Sequence, residues 1–189
     1  SGNAKIILGI ERTILNFLQH LSSISTTTHE FVTKMGKVNT TLLNTRKTTI
    51  GLRKFEKYAT LIGGAKNHRM GLYDDILIKD NHIKIIGNVD KTIKKLKSQG
   101  IVNYKIECEN FSEVKKSIEM GAKYILLDNM KISEIKKCIK LKKNKIQFEI
   151  TGGITIDNVN KYSRLGADYI STSKITNSSY SVDIGLDII

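Results

Sequence analysis

Titratable side chains flank a short apolar segment in the stretch KNHRMGLYDDILIKDNHIK, which covers residues 66–84. His68 and Arg69 precede the apolar residues ILI, and Lys79 follows them directly. Fixed cations at both ends of a segment that should be buried suit a substrate with several carboxylates or phosphates, because Arg and Lys supply charge and directed hydrogen bonds. The stretch therefore predicts an anion-binding site beside a buried strand.

Similar groups follow other apolar segments of strand length. Arg46 and Lys47 come directly after TLLNT, Glu107 lies in YKIECE, and Asp128 ends YILLD. Glu107 and Asp128 are about one β-α unit apart, so we expect them on neighbouring strands, where paired carboxylates suit Mg²⁺. Two turns of small residues could offer backbone N–H groups to a phosphate. These turns contain Thr151, Gly152 and Gly153, and then Thr172 and Ser173.

The sequence lacks the motifs of several other kinds of catalytic site. The chain has no Ser-His-Asp order, no Cys-His pairing and no HExxH motif. These absences favour group transfer by positioning and electrostatics over a covalent nucleophile. The two cysteines, Cys108 and Cys138, have no spacing typical of a disulfide framework or zinc site. They indicate a reducing compartment, and we predict a cytoplasmic location.

The segments that must position these groups alternate between strand and helix. A long helix is predicted within residues 10–35, and amphipathic stretches separate most of the strand-length segments. Repeated β-α units without hairpin signals indicate an α/β fold with a parallel sheet. No GxGxxG follows the first strand, and functional groups at the carboxyl ends of strands favour a β/α barrel over an open sheet. The six predicted strands are TLLNT, DILIKD, YKIECE, YILLDN, IQFEIT and DYISTS.

The amino-acid composition limits the classes of protein to which this chain can belong. The 189 residues are 40% hydrophobic, which is enough for a domain with a core. No apolar run reaches the length of a membrane span, so we predict no membrane partner. The net charge of +13 would suit nucleic acid or a polyanionic substrate. However, abundant Lys, Asn and Ile indicate an AT-rich coding bias, so we predict no nucleic-acid partner.

Six blocks resemble one family in their order and spacing. They are ERTILNFLQHLS, TRKTTIGLRKFEKYA, GGAKNHRMGLYDDILIKDNHI, IECEN, ILLDNM and FEITGGI. The chain resembles quinolinate phosphoribosyltransferase, also called carboxylating nicotinate-nucleotide pyrophosphorylase, over nearly its whole length. The resemblance implies a single domain over residues 1–189, an irregular and incomplete TIM-like barrel. It also implies that the family's smaller N-terminal α/β domain is absent from this chain.

The resemblance implies an activity of NAD biosynthesis. Phosphoribosyl pyrophosphate and quinolinate would give nicotinate mononucleotide, pyrophosphate and CO₂, with Mg²⁺ as cofactor and a homodimer as the assembly. The catalytic residues would be Lys47, Lys79, Glu107 and Asp128. The implied ligands are Arg46, His68, Arg69 and Lys79 for quinolinate, with Arg12 from the partner subunit; Lys47 for pyrophosphate; Glu107 and Asp128 for Mg²⁺ and ribose; and Thr151, Gly152, Gly153, Thr172 and Ser173 for the 5′-phosphate.

Five positions depart from the family pattern, and other functions stay open. Asn44 replaces Asp, Ile50 replaces Pro, Thr151 replaces Ser, Ser173 replaces Gly, and Asn177 replaces His. One alternative is a related type II phosphoribosyltransferase, either a nicotinate enzyme or the molybdate-associated homologue. A second alternative is a truncated, non-catalytic remnant of the enzyme. A basic nucleic-acid-binding protein is the alternative that we rank last.

Some polar and aromatic residues are predicted to stay outside the chemistry. Asp80 and His82 are expected to orient Lys79, and Cys108 is expected to pack on the face opposite Glu107. The remaining predictions are a surface position for His20 and His29, a solvated turn for Asp74 and Asp75, and a core position for Tyr58 and Tyr73.

Overall fold

Six short parallel strands form one sheet in the computed structural model, which describes residues 2–143 and 145–187. Each strand lies within one of the six segments that the sequence predicts. The brevity of the strands leaves most of the positioning to the loops that follow them. The strands are β1 (Thr41–Leu43), β2 (Leu77–Ile78), β3 (Lys105–Cys108), β4 (Tyr124–Asp128), β5 (Gln147–Thr151) and β6 (Tyr169–Ser171).

The strand order is that of a barrel that does not close. Strands β2 to β6 lie side by side in chain order, and β1 pairs with β6. Within the described residues β1 and β2 do not pair, although a parallel bridge from Leu43 to Lys66 extends the β1 edge. Strand order without reversal distinguishes this arrangement from a doubly wound sheet. The predicted α/β fold, an incomplete TIM-like barrel, is confirmed.

The first helix, α1 (Ala4–Met35), is longer than the sequence suggests and runs through SSISTTT without a break. Two of its hydroxyl groups bond within the helix: Ser23 Oγ donates to the Gln19 carbonyl at 2.6 Å, and Thr28 Oγ1 to the Ile24 carbonyl at 2.7 Å. Such bonds let Ser and Thr remain helical. The other helices are α2 (Arg53–Ile62), α3 (Asp80–Ile86), α4 (Val89–Ser98), α5 (Phe111–Glu119), α6 (Ile132–Ile139), α7 (Val159–Ser163) and α8 (Lys174–Asn177).

Alternation along the strands separates an apolar face from a polar one. Ile106 and Cys108 of β3 are fully buried in the core beneath the helices, whereas Glu107 between them faces the barrel interior. The Cys108 thiol lies 3.4 Å from the Ser117 hydroxyl on α5, which confirms its predicted packing. Closed barrels fill their interior with branched apolar residues, but here the charged residues Glu107 and Glu149 flank Leu126 on that side.

The predicted positions of two tyrosines and two histidines agree only in part with the structure. Tyr58 and Tyr73 were predicted in the core, but they are 63% and 84% exposed. Tyr58 lies on the outer face of α2, and the Tyr73 ring covers Gly71 in a surface turn. His29 is exposed, as expected, whereas His20 is only partly exposed and bonds to a buried carboxylate. Across residues 2–143 and 145–187, none of the helices is sufficiently long and apolar to span a membrane.

Candidate active site at the strand ends

Pairing between strands brings two predicted carboxylates and one predicted turn to the same edge. Asp128 pairs with Thr151 across β4 and β5, and Cys108 pairs with Leu127 across β3 and β4. Glu107 pairs with Leu126, so it lies on the strand beside Asp128, two residues short of its level. Because all six strands are parallel, this edge also receives the loops that carry the predicted cations.

Lys79 connects the edge of the sheet to these carboxylates. Its Nζ lies 3.1 Å from Glu107 Oε2, and its side chain is about half exposed while that of Glu107 is 9% exposed. Burial raises the pKa of Glu107, the nearby Lys79 charge opposes this, and Asp128 raises it further. A further cation bound beside both carboxylates would relieve the repulsion by which Asp128 raises the pKa of Glu107.

Asp80 and His82 differ in their relation to Lys79. His82 Nδ1 accepts a hydrogen bond from the Lys79 backbone amide at 2.9 Å, so His82 fixes the start of α3. Asp80 bonds to Lys84 at 2.8 Å, one turn along that helix. The prediction that His82 orients Lys79 agrees with this contact, whereas Asp80 orients Lys84 instead.

The loop carrying Arg46 and Lys47 is held from below by α2. Buried Glu56 accepts the Thr49 amide at 3.2 Å and His20 Nε2 at 2.8 Å. Arg53 donates to the Arg46 carbonyl at 3.2 Å and also reaches the loop that follows Arg69, at the Met70 carbonyl. The two cationic loops are thus fastened to each other, while the Lys47 side chain stays exposed.

His68 and Arg69 are each more than nine-tenths buried. Arg69 Nη1 donates to the Asp75 carbonyl at 2.8 Å. Burial lowers the pKa of Arg69, and the charge of neighbouring Arg46 lowers it further. The charge of Arg46 therefore acts on Arg69, and an anion bound between the two side chains would relieve their repulsion.

A buried lysine that sequence reasoning missed supports this loop. Lys57 is fully buried on α2, and its Nζ donates to Asn44 Oδ1 at 2.6 Å and to the His68 carbonyl at 2.7 Å. Burial, followed by the charge of Arg53, lowers the pKa of Lys57 to about 8. Asn44 also accepts the His68 amide at 3.0 Å, so both peptide groups of His68 are fixed.

The turn after β5 is shaped by glycine. Gly152 and Gly153 have φ values of 83° and 63°, which favour glycine. A Cβ on Gly152 would lie 2.3 Å from Asn129 Oδ1, so this residue cannot be replaced without moving Asn129. Asn129 itself has φ 52° and donates to Asp128 Oδ2 at 3.1 Å. Asn129 is a further neighbour of the carboxylates, and no role was predicted for it from the sequence.

The turn after β6 offers fewer free groups than predicted. The Thr172 hydroxyl donates to the Ile154 carbonyl at 2.9 Å and accepts the Lys174 amide, and the Thr172 amide donates to Leu43. Thr172 therefore ties two turns together, and its role as a phosphate ligand stays a prediction. Ser173 is partly exposed at the start of α8, and Thr151 is partly exposed at the end of β5.

Arg12 lies away from this cluster. It is exposed on the first third of α1 and makes no hydrogen bond or ion pair within the described part of the chain. Its predicted role in a partner's site stays a prediction. The cluster proper consists of Arg46, Lys47, His68, Arg69, Lys79, Glu107, Asp128, Thr151, Gly152, Gly153 and Ser173.

Comparison with known proteins agrees with this arrangement. Residues 24–187 match the sequence profile of "Quinolinate phosphoribosyl transferase, C-terminal domain". A probable nicotinate-nucleotide pyrophosphorylase [carboxylating] of Bacillus subtilis is 39% identical over 99% of this chain, and one of Methanocaldococcus jannaschii is 42% identical over all of it.

Solved structures agree as well. A nicotinate-nucleotide pyrophosphorylase from Ehrlichia chaffeensis superposes with a TM-score of 0.92 at 44% identity, over 96% of this chain. The chain spans 65% of the Bacillus subtilis relative, 70% of the Methanocaldococcus jannaschii relative and 66% of the Ehrlichia chaffeensis chain. By profile, sequence identity and structure together, the chain belongs to the quinolinate phosphoribosyltransferase family and corresponds to its C-terminal domain.

Proposed function

We propose that this chain carries the active-site face of a carboxylating nicotinate-nucleotide pyrophosphorylase, which transfers phosphoribose from phosphoribosyl pyrophosphate to quinolinate. The observation that carries the proposal is the opposition of charges at one edge of the sheet. The charge of Arg46 lowers the pKa of Arg69 at one side, and Lys79 contacts Glu107 at the other. A site that holds two polyanions together needs such fixed charges.

The dicarboxylate would bind at the arginine side. Arg46 and Arg69 present guanidinium groups that can pair with carboxylates in two-bond geometry. Lys79 would contact the same substrate after exchanging its bond to Glu107. His68 is less suited to direct contact, because its ring is 7% exposed and both of its nitrogens already lie near protein groups.

The phosphoribosyl donor would bind across the remaining edge. Lys47 is exposed and free to pair with the pyrophosphate. Neither the Gly152 nor the Gly153 amide hydrogen-bonds to another described residue, so both can donate to the 5′-phosphate. Thr151 and Ser173 would add hydroxyl donors beside them.

The residues present suit Mg²⁺. Asp128 is near enough to Glu107 for its charge to raise the pKa of Glu107, and a divalent cation between them would relieve that repulsion. No cluster of three or more His, Cys, Asp or Glu side chains suitable for a metal occurs in the described residues. Mg²⁺ commonly takes one or two carboxylates and fills its shell with water and substrate oxygens. When bound, it would neutralise charge on the pyrophosphate.

The reaction requires little covalent chemistry from the protein. The bond from ribose C1 to pyrophosphate stretches, and the pyridine nitrogen attacks C1 as positive charge develops on the sugar. Lys47 stabilises the departing pyrophosphate. The cationic pyridinium ring then loses its 2-carboxylate as CO₂, and the bonding electrons return to the ring before a proton is added at that carbon. The chain's contribution is to orient both substrates and balance their charges.

A homodimer with Arg12 reaching into the partner's site, and a cytoplasmic location, remain part of this proposal. Exposed apolar residues on α1 and α2, including Phe17 at 42% and Phe55 at 52% exposure, favour contact with a further protein surface. The two cysteines are free and buried, as is common in a reducing compartment.

The test is formation of nicotinate mononucleotide from quinolinate, phosphoribosyl pyrophosphate and Mg²⁺. It is run on the chain alone and on a fusion that adds the unmatched preceding part of the Bacillus subtilis relative. Arg69→Ala and Lys79→Ala should slow product formation by at least about thirtyfold, whereas alanine at the exposed residues Arg164 and Lys95 should leave it unchanged. Absence of product from both proteins would support a non-catalytic remnant, and faster turnover of nicotinate would indicate a different phosphoribosyltransferase.

A further inference from the structure

A buried carboxylate, Glu149 on β5, lies beneath the arginine side of the site. It is fully buried, and its Oε2 accepts the Tyr124 hydroxyl at 2.7 Å and lies 3.4 Å from His68 Nε2. Burial acts to raise its pKa, but His68, Ser171 and Tyr124 together lower the pKa below its usual value. Glu149 is therefore an anion inside the barrel, and the reaction outlined above does not use it.

The contacts of His68 fix which nitrogen carries its proton. The Arg69 backbone amide donates to His68 Nδ1 at 2.9 Å, so Nδ1 must be an acceptor. The proton of the neutral ring therefore lies on Nε2, which points at Glu149. His68 thus links the buried carboxylate to the backbone of Arg69.

The links continue until they return to Arg69. Tyr124, bonded to Glu149, has Lys105 Nζ 4.4 Å from its ring centre. Lys105 pairs with the Asp75 carboxylate at 2.9 Å, and the Asp75 carbonyl accepts Arg69 Nη1 at 2.8 Å. The closed sequence of contacts, here called the polar ring, consists of Arg69, His68, Glu149, Tyr124, Lys105 and Asp75.

The polar ring holds Arg69 at two points, its backbone amide and its guanidinium. Two carboxylates balance two fixed cations, so the ring is neutral when His68 is neutral. Positioning partners of this kind reduce the ordering that a ligand must otherwise impose. We propose, on the basis of the function above, that Glu149 is a positioning residue that presents Arg69 to the dicarboxylate through His68.

The unpaired oxygen of Glu149 allows a sharp test. Oε1 is buried without a hydrogen-bond partner in the described chain, whereas Oε2 makes both contacts. Glu149→Leu removes the acceptor, and quinolinate should bind about tenfold more weakly while phosphoribosyl pyrophosphate binding stays within about twofold. Glu149→Gln keeps an oxygen at the Oε2 position and should restore most quinolinate affinity, even if its buried amide makes it less stable than Glu149→Leu.

Two stacked tyrosines provide a test variant and a matched control that can be used if Glu149→Leu does not fold. Tyr124 and Tyr169 lie 5.6 Å apart, but the Tyr169 hydroxyl accepts from Gln147 and is outside the polar ring. Tyr124→Phe should weaken quinolinate binding about threefold, and Tyr169→Phe should leave it unchanged. Equal effects of the two substitutions, or quinolinate binding within twofold of wild type in a folded Glu149→Leu protein, would overturn the proposal.

The ring nitrogens of His68 give a readout that does not depend on substrate. The chain has four histidines, so ¹⁵N spectra of their side chains can be assigned with His68→Asn. We expect a protonated Nε2 and an accepting Nδ1 in the wild type. Glu149→Leu should keep this tautomer, because the Arg69 amide still donates to Nδ1, but should shift the Nε2 resonance, because its N–H loses the carboxylate acceptor. A proton on Nδ1 in the wild type would refute the coupling. If the spectra agree but quinolinate does not bind, the proposed function fails and the contact network stands.

Discussion

The carboxylate side of the site is built from buried side chains, whereas the phosphate side is built from backbone turns. Arg69 is fixed by the polar ring and by a loop resting on the buried Lys57. The Gly152–Gly153 turn instead derives its shape from positive φ angles and contact with Asn129. A planar dicarboxylate needs cations with fixed orientation, while a phosphate can be held by several amides. The two sides should therefore respond differently to substitution.

Loss of Arg69 should have the largest effect. Arg69→Ala removes the clamped cation and leaves Arg46 to hold the substrate, at a cost of about 2 to 4 kcal/mol of transition-state stabilisation, or roughly thirtyfold to a thousandfold in kcat/KM. Steady-state assays with quinolinate as the varied substrate measure it. Arg164→Ala, at an exposed position on the far end of α7, is the control. A kcat/KM for Arg69→Ala within threefold of the wild-type value would contradict the proposal that the Arg69 side chain holds quinolinate.

The two glycines allow the backbone side to be tested on its own. Gly152→Ala forces a Cβ against Asn129 and should lower the free energy of unfolding by about 2 to 3 kcal/mol. Gly153→Ala has open space at its Cβ, so only its positive φ matters, and we expect about 1 kcal/mol. Urea denaturation compares them. The phosphoribosyl pyrophosphate affinity should fall more in Gly152→Ala, and equal losses in both variants would contradict this description of the turn.

The buried amine below the carboxylate side should give a pH signature. The folded pKa of Lys57, about 8, is below its ordinary value of 10.5, so the folded protein releases this proton first as pH rises. Between pH 8 and 10.5 the unfolded chain binds more protons. The free energy of unfolding should therefore gain up to about 1.4 kcal/mol per pH unit from this group.

Asn44→Asp tests whether Lys57 is the group that causes this pH dependence. It places a carboxylate at the acceptor of Lys57, which raises the pKa of the amine and should flatten the slope that urea denaturation measures at pH 7.5, 8.5 and 9.5. Lys57→Met should flatten it as well, since no titrating group remains. If all three proteins show the same slope, Lys57 is not the group responsible.

Ser173 should matter least. Its φ of −86° is open to any residue, so glycine is not required there by the backbone. Ser173→Gly should change phosphoribosyl pyrophosphate affinity by less than about threefold, the scale of one exposed hydrogen bond. Isothermal titration calorimetry is the measurement. A tenfold gain in affinity would instead mean that the serine side chain obstructs the phosphate, and that this departure weakens the site.

Sequence patterns found the parts of the site that follow strands. Glu107, Asp128 and Lys79 each come at the carboxyl end of an apolar run, and parallel pairing brings such ends together without further information. Glu149 carried a weaker signal, since alternation places it on the same face as Thr151. Its use as a buried partner of His68 depends on a loop far away in the chain.

Local sequence patterns could not predict the positions of other side chains. Lys57 and Glu56 are adjacent charged residues on an amphipathic helix, a context typical of solvent exposure, yet both are fully buried. Their burial depends on where the loops after β1 and before β2 pack against α2. Tyr58 and Tyr73 were misplaced for the converse reason, because aromatic character favours the core only where a packing partner exists.

The selectivity of the site for two carboxylates tests the central claim most directly. Calorimetric titration of quinolinate and of nicotinate should show quinolinate binding at least about tenfold more tightly to the wild type, and this preference should disappear in Arg69→Ala. Nicotinate binding as tightly as quinolinate, or a preference that persists without Arg69, would contradict the account.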